Sequence, residues 1–441
     1  MKRQLLFSLL LLPFFLGAQV VTPLPDMPES VSNNAVVAAP VDGTMYVYSF
    51  AGIDSTKLWS GIHKKAWRYN TDTQIWESIP DLPNGNGRIA AGANLVKNKI
   101  YIIGGYEVFA NGGEVSFETV HIYDPQSNTY LADGSPIPTP IDDQVQAVWR
   151  DSLIYVITGW SNNGNVEDVQ IYNPSSDTWL EGTSLPLGEP NESDDFLVFG
   201  ASGTIIGDTI YYSGGALGGF QGGSVFPPTT HFRKGYINPD DPTEITWTGE
   251  QEILGRGYRM AAGNWNDQQA VWIGGSTITY NYNGIDYNGS GGVAPTTRVV
   301  SYDPSLGQLV TFPDYIPARM DLRGLGQIGP DRYIIAGGMV EDQTVTNQVF
   351  ELQLDLPTGT FTPLALERLN IYPNPSSLIA WAETPDRGIL DVYDPQGRLI
   401  WSKTVEKGTQ TLPIAEWAPG LYRLYWSNTR GDVQLGNLMI Q

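Results

Sequence analysis

One unit is written repeatedly in this chain: an apolar strand ending in a glycine turn, then Tyr-x-Pro, then an aromatic residue seven positions after that tyrosine. The clearest copies are Gly104-Gly105 with Tyr123-Asp124-Pro125 and Tyr130, and Thr158-Gly159 with Tyr172-Asn173-Pro174 and Trp179. A unit recurring every ~50–65 residues marks a repeat architecture, in which each unit buries its apolar face only against its neighbours. The rhythm therefore constrains the fold before any other feature does, and it says where a site should lie without naming a ligand.

Within a unit the chemistry of each mark predicts its place. A small-residue strand such as Ile89-Ala90-Ala91-Gly92-Ala93 comes first, and Ile100-Tyr101-Ile102-Ile103 then runs into the glycine pair. Glycine there allows the positive φ and close backbone approach of a tight turn. A third strand, Val120 to Tyr123, ends in an Asx-Pro reversal, and a fourth carries the aromatic anchor. The same marks recur at Gly214-Gly215 with Tyr236 and Trp247, at Gly274-Gly275 with Tyr302-Asp303-Pro304, and at Gly337-Gly338 before Val349 to Leu354. A first unit keeps Tyr69 and Trp76 in spacing, with Ser49-Phe50 where the glycines are expected. That makes six four-stranded units.

The six units in phase resemble the Kelch repeat. The resemblance implies an all-β fold, a six-bladed Kelch β-propeller over residues 19–364. Leu24-Pro25-Asp26-Met27-Pro28 copies Ile79-Pro80-Asp81-Leu82-Pro83, the end of a fourth strand, yet precedes the first unit. We therefore expect the N-terminal segment to supply the outer strand of the last blade; Phe361-Thr362-Pro363-Leu364 competes for that place.

Flanking segments speak about address. Met1-Lys2-Arg3, the apolar run Leu5 to Leu16 and Gly17-Ala18 read as a secretory signal over residues 1–18. The run is short for a bilayer span, and no later stretch is long and apolar enough for a transmembrane helix. Removing the signal takes away two basic residues, so the net charge of −22 becomes −22 − 2 = −24. That acidity argues against nucleic acid and anionic membranes as partners. With no cysteine, thiolate metal sites and cysteine nucleophiles are excluded, as is a copper-radical oxidase of the galactose oxidase kind, whose tyrosine is cross-linked to a cysteine.

After Leu364 the rhythm stops and short alternating strands follow: Gly388 to Tyr393, Arg398 to Trp401, Gly420 to Trp426, and Val433 to Gln441. Period-two patterning with turns at Asp394-Pro395-Gln396-Gly397 and Thr429-Arg430-Gly431 predicts a small Ig-like antiparallel β-sandwich over residues 365–441. Tyr372-Pro373-Asn374-Pro375, Asp394-Pro395-Gln396-Gly397 followed by Arg398-Leu399, and Gly420-Leu421-Tyr422 make this segment resemble the C-terminal sorting domain of type IX secretion in Bacteroidota-like bacteria. The resemblance implies engagement by that machinery and passage through the periplasm to the outer cell surface or the medium.

In a Kelch blade, the loop between strands two and three and the link to the next blade emerge on one face. Here those segments are rich in aromatics, arginines and acids, a combination suited to glycan or protein ligands. The candidate ligand residues are Arg88, Trp160, Asp194, Phe220, His231, Arg256, Arg259, Tyr282, Arg319 and Arg323. Asp142-Asp143 and Asp194-Asp195 are not dyads by themselves, since adjacent strand residues face opposite ways. The bland alternative is that such arginines and acids form inter-blade ion pairs. Three histidines without ligand spacing predict no metal site, and no cofactor is expected.

The stretch from Ala201 through Gly214-Gly215-Ala216 to Gly255-Arg256-Gly257-Tyr258 resembles secreted sialic-acid (N-acetylneuraminate) mutarotases, also six-bladed Kelch proteins. That family places a glutamate and an arginine near the long loop. Here the loop reads Thr229-Thr230-His231-Phe232-Arg233, without the glutamate, while Arg256 remains to meet a carboxylate. Three readings follow: a glycan- or protein-binding module, a mutarotase-like carbohydrate-active enzyme, and a non-catalytic adhesive spacer. A closed, ion-paired throat would favour the spacer; an open aromatic pocket would favour sugar binding.

Overall fold

The computed structural model describes residues 20–83, 85–162, 164–188, 196–218, 226–251, 255–356, 368–394, 399–428 and 433–441. Residues 1–19, Phe361 to Leu364, and the turns at 395–398 and 429–432 lie outside that set. The first part forms six four-stranded antiparallel sheets. Blade 1 comprises Ala35–Val41, Thr44–Ile53, Ile62–Asn70 and Ile75–Ile79, and blade 2 comprises Gly92–Val96, Lys99–Ile103, Val120–Asp124 and Thr129–Tyr130. Blade 3 runs Val145–Trp149 to Thr178–Gly182, blade 4 Ser202–Ile206 to Asp241–Gln251, and blade 5 Ala261–Trp265 to Gln308–Phe312. Inner strands begin about three residues later than the sequence suggests, because Ile89-Ala90-Ala91 is spent on the link between blades.

Blade 6 is closed by the N-terminal segment. Gly326–Gln327, Arg332–Ala336 and Val349–Gln353 supply three strands, and Val20–Leu24 pairs antiparallel with the last, Val20 against Gln353 and Leu24 against Val349. Blade cores merge across their contacts: Tyr48, Phe50, Ile79, Ile100, Ile102 and Tyr123 form one cluster shared by blades 1 and 2. Within a blade the anchoring aromatics pair across neighbouring strands; Tyr172 meets Trp179 at 5.0 Å and Tyr69 meets Trp76 at 5.2 Å. In blade 4 the spacing slips, and Trp247 sits opposite Gly235 instead of Tyr236.

The glycine turns turn out to be joints between blades. The second glycine of each pair donates its N–H to the next blade: Gly105 to the Ile141 carbonyl (2.9 Å), Gly159 to Val198 (2.8 Å), Gly215 to Gly257 (2.7 Å), Gly275 to Arg319 (2.9 Å) and Gly338 to Val31 (2.8 Å). Blade 1 makes the same joint from Gly52 to Arg88, 3.0 Å. Its turn is thus Ala51-Gly52, both at positive φ (56° and 117°), and not Ser49-Phe50. A β-bulge between Phe50 and Gly52 displaces the turn from the expected register. A side chain at Gly105 would meet the Ile89 carbonyl at 2.7 Å, which explains why glycine is kept at the second position.

A second ring lies two residues further along each link. Asn33, Ala90, Asp143, Gly200, Arg259 and Asp321 all have positive φ, between 48° and 68°. Asp143 N–H bonds the Ala90 carbonyl, Gly200 the Asp143 carbonyl, Arg259 the Gly200 carbonyl, and Leu322 the Arg259 carbonyl, at 2.8–3.1 Å. Asn33 N–H bonds the Asp321 carbonyl at 3.1 Å, and the Asn33 side chain accepts from Ala90 N–H at 2.7 Å. One residue per blade therefore forms a hydrogen-bonded hub around the axis.

Residues 370–440 form two facing sheets. Asn370–Tyr372, Ala380–Thr384 and Gly408–Leu412 make one; Leu399–Val405, Gly388–Tyr393, Gly420–Ser427 and Val433–Ile440 make the other. Leu390, Val392, Leu424, Trp426 and Leu438 pack between them with Ala380 and Ala382. Among the described residues, no helix is long and apolar enough to cross a membrane.

Candidate functional site

The hub residues carry the charge that the sequence placed around the mouth. Arg259 donates to both oxygens of Asp143, at 3.1 and 2.6 Å, and to Asp321 at 3.1 Å. Arg323 lies 3.5 Å from Asp143 and donates to the Gln144 carbonyl at 2.7 Å. Asp321 also accepts from Ser32 Oγ at 2.6 Å and Asn33 Nδ2 at 3.0 Å. All these groups are buried. Burial raises the Asp321 carboxyl even though Arg259 opposes the shift. Asp143 and Asp142 face opposite ways: Asp142 accepts from Ser116 Oγ at 2.6 Å, and burial, with the charge of Asp143, pushes its carboxyl far above the usual carboxylate range.

This network closes the throat on the loop side. The Tyr258 and Tyr280 rings flank the Arg259 guanidinium at 5.1 and 5.5 Å, and the long blade-5 loop folds inward, setting Tyr280 edge-to-face on Tyr258 at 5.0 Å. Phe199, Phe226 and Tyr287 complete an aromatic plug, into which Trp160 packs at 5.4 Å from both phenylalanines. Beyond the hub the inner strands enclose a channel of about 280 Å³ lined by Asn94, Gln144, Gln146, Asn264, Arg323 and Gln327 among others.

Of the residues singled out from sequence, Arg259 and Arg323 meet in the hub. Arg88 is buried elsewhere, donating to the Gly104 carbonyl (3.0 Å) and Thr119 Oγ1 (2.6 Å). Its other arm reaches His121 Nε2 at 3.0 Å, which leaves His121 Nδ1 to donate to Asp133 at 2.8 Å. Arg88 also lies over the Phe117 ring at 4.2 Å, and burial lowers its pKa to about 10. Arg319 is buried over Phe350 at 5.5 Å, with Gln348 at 3.5 Å. It does not pair with Asp321, which belongs to Arg259. Tyr282 is half-buried against Ile53, Tyr106 and Val108, carrying the blade-5 loop across to blades 1 and 2. His231 is half-buried beside Phe196, with ring centroids 6.2 Å apart. Asp194 and Phe220 lie outside the described residues.

Arg256 leaves the group altogether. Its Nε donates to the Thr277 carbonyl at 3.0 Å, and its Nη1 makes an ion pair with Asp391 of the C-terminal domain. Burial works against the Arg256 charge, but Asp391 more than offsets it and raises the pKa.

Sequence reasoning missed most of the apolar rim. Leu58, Trp59, Phe109, Val115 and Ile285 are exposed and stand on loops of this face, Leu58 at 56% and Trp59 at 47%. The loops touch: Lys57 Nζ donates to the Gln343 carbonyl at 2.9 Å, and Gln343 packs on Gly284, next to Ile285. Phe109 and Val115 share one hairpin, whose Phe109 N–H bonds Gly113 at 2.8 Å. The only sequence signal was an apolar residue in a loop otherwise rich in Gly, Asn and Ser. Among the described residues, no three His, Asp or Glu gather as metal ligands.

Comparison with known proteins agrees with this architecture. Residues 87–130 and 150–186 match the Kelch motif, and residues 370–441 match the secretion system C-terminal sorting domain. The chain is 29% identical over 194 residues to Kelch-like protein terF of Aspergillus terreus, covering 43% of this chain and 40% of that protein. It is 26% identical over 197 residues to Kelch-like protein 35 of Mus musculus, covering 44% and 29%. The matches thus span less than half the length of these relatives. The solved structure of YjhT superposes with a TM-score of 0.55 at 16% identity, over 74% of this chain and 95% of that one, a likeness in fold. The chain is a Kelch-repeat β-propeller with a type IX secretion C-terminal sorting domain, which directs it to the cell surface or out of the cell.

Proposed function

We propose that the propeller is a displayed binding module that takes a glycan or protein ligand on its loop face, through Leu58, Trp59, Phe109, Val115, Tyr282 and Ile285. The observation that carries this reading is the exposure of those apolar side chains, all but the half-buried Tyr282, on loops of one face, two of which touch through Lys57 and Gln343. Scattered apolar side chains need no explanation, but a grouped set on one face does. Aromatic faces suit both sugar rings and the apolar centre of a protein contact. The reading assigns residues 1–18 to a signal, 19–364 to the propeller and 365–441 to the sorting domain.

A glycan array and a screen of cell-surface proteins test it. Trp59→Ala with Phe109→Ala should remove whatever binding is found while leaving the melting temperature unchanged. The ion-paired throat favours a second reading, a spacer with no ligand, and failure to bind any glycan or surface protein selects it. The mutarotase reading requires accelerated sialic-acid anomer exchange that is lost in Arg256→Ala.

A further inference from the structure

A carboxylate stands where a free module would not bury one. Along Gly388–Tyr393, Leu390 and Val392 point into the C-terminal sandwich, so Asp391 and Tyr393 point out of it. An outward aspartate on an isolated sheet would meet water, yet Asp391 is 1% exposed. The propeller covers it. Arg256 Nη1 pairs with Asp391 Oδ2, and the Tyr393 hydroxyl is hydrogen-bonded to Thr230, just before the third strand of blade 4, His231–Asn238. Arg298, just before the third strand of blade 5, donates to the Arg256 carbonyl. Arg298 therefore adds a second buried guanidinium beside Arg256, while the Asp391 carboxylate pairs with Arg256, on a chain whose net charge is −22.

The pairing is incomplete on both sides. Asp391 Oδ1 and Arg298 Nε have no hydrogen-bond partner, though both are buried. Burial, with the neighbouring Arg256 charge, lowers the Arg298 pKa to about 10. A buried arginine doublet is stable only while an anion compensates it, and removing the partner leaves a strong demand for another.

We propose that Arg256, with the buried charge of Arg298 beside it, forms a carboxylate-binding site of the propeller, that Asp391 of the chain's own sorting domain fills it as a latch, and that an aspartate or glutamate of an acidic protein segment takes its place when that domain is undocked. The present occupant argues for the class: an aspartate side chain carried on an extended strand. The site stands on blades 4 and 5 and does not depend on the apolar rim or on any ligand bound there.

The experiment uses the full chain with a specific protease site placed between residues 357 and 367, cut after folding and run on a sizing column. Asp391→Asn should release the sorting domain already at a higher protein concentration than the unsubstituted chain does, because a weaker contact needs less dilution to come apart. N-acetyl-aspartate amide, a soluble copy of the latch side chain, should bind the released propeller and not the intact chain. N-acetyl-asparagine amide should bind neither, and Arg256→Gln should abolish the binding. Equal release with and without Asp391→Asn overturns the latch, and a released propeller that ignores the aspartate probe overturns the site. Asp391→Asn leaves the propeller untouched, so both outcomes can be read even if Arg256→Gln does not fold.

Discussion

Replacing Arg259 with methionine tests whether the hub is held by charge. The substitution keeps an apolar stem between Tyr258 and Tyr280 but leaves Asp143 and Asp321 buried without their shared counter-charge. Removing one partner of a buried ion pair typically costs about 3–5 kcal/mol. Two features hold the cost to the low end: Arg323 remains 3.5 Å from Asp143, and Ser32 and Asn33 still donate to Asp321. We take about 3 kcal/mol. With an unfolding entropy of about 2.1 cal/mol/K per residue over ~340 residues, each degree is worth about 0.7 kcal/mol, so the melting temperature should drop by about 4 °C. Calorimetry at pH 7 reads this directly. The triple variant Arg259→Met, Asp143→Asn, Asp321→Asn removes the charge altogether and should recover most of the loss, since uncharged replacements of a whole buried network are often neutral. An Arg259→Met melting temperature equal to that of the parent, or a triple variant worse than the single one, would refute the electrostatic account of the hub.

Three further outcomes follow from the same geometry. Deleting Val20–Leu24 leaves the outer edge of the strand Val349–Gln353 unpaired and removes the packing of the half-buried Val21 and Leu24, so stability should fall by about 2–4 kcal/mol; an unchanged melt would show that the ring does not need this closure. The folded-state carboxyl of Asp142 is raised, so the folded chain holds a proton that the unfolded chain has released. Its contribution to stability is therefore greatest below about pH 4 and is lost as pH rises through the folded pKa; Asp142→Asn should raise the melting temperature at neutral pH and flatten that slope. His63 has the opposite sign. Burial, then Lys65, lowers its pKa to about 4, so its contribution is present above about pH 6.5 and is lost as pH falls toward 4; His63→Phe should remove that acid-side loss in a pH series of melts.

The repeat was legible because each mark answers a local demand. Tyr-x-Pro reverses the chain, the aromatic packs seven residues on, and the second residue of each glycine turn donates its N–H to a carbonyl of the next blade where a side chain has no room. Blade 1 shows the limit of such reading. Ala51-Gly52 was hidden because a bulge moved the turn by two residues, and an alanine at positive φ carries no sequence signature. The closing strand was legible for the opposite reason: Leu24-Pro25-Asp26-Met27-Pro28 repeats a phrase that belongs to the end of a blade.

The candidate site was legible only as a list of charged and aromatic loop residues. Which arginine meets which acid was not, because the partners are set by ring closure and by packing of separate domains. Asp143 and Asp321 lie 116 and 62 residues from Arg259, and Asp391 lies 135 residues from Arg256. A chain writes its turns and strand faces locally, so the sequence by itself determined the number of blades, their order and the sorting domain. Burial and pairing of charge depend on what closure brings within hydrogen-bonding distance. Only the tertiary structure decided that Arg259 closes the throat, that Arg319 and Asp321 go separate ways, and that Arg256 is held by the sorting domain.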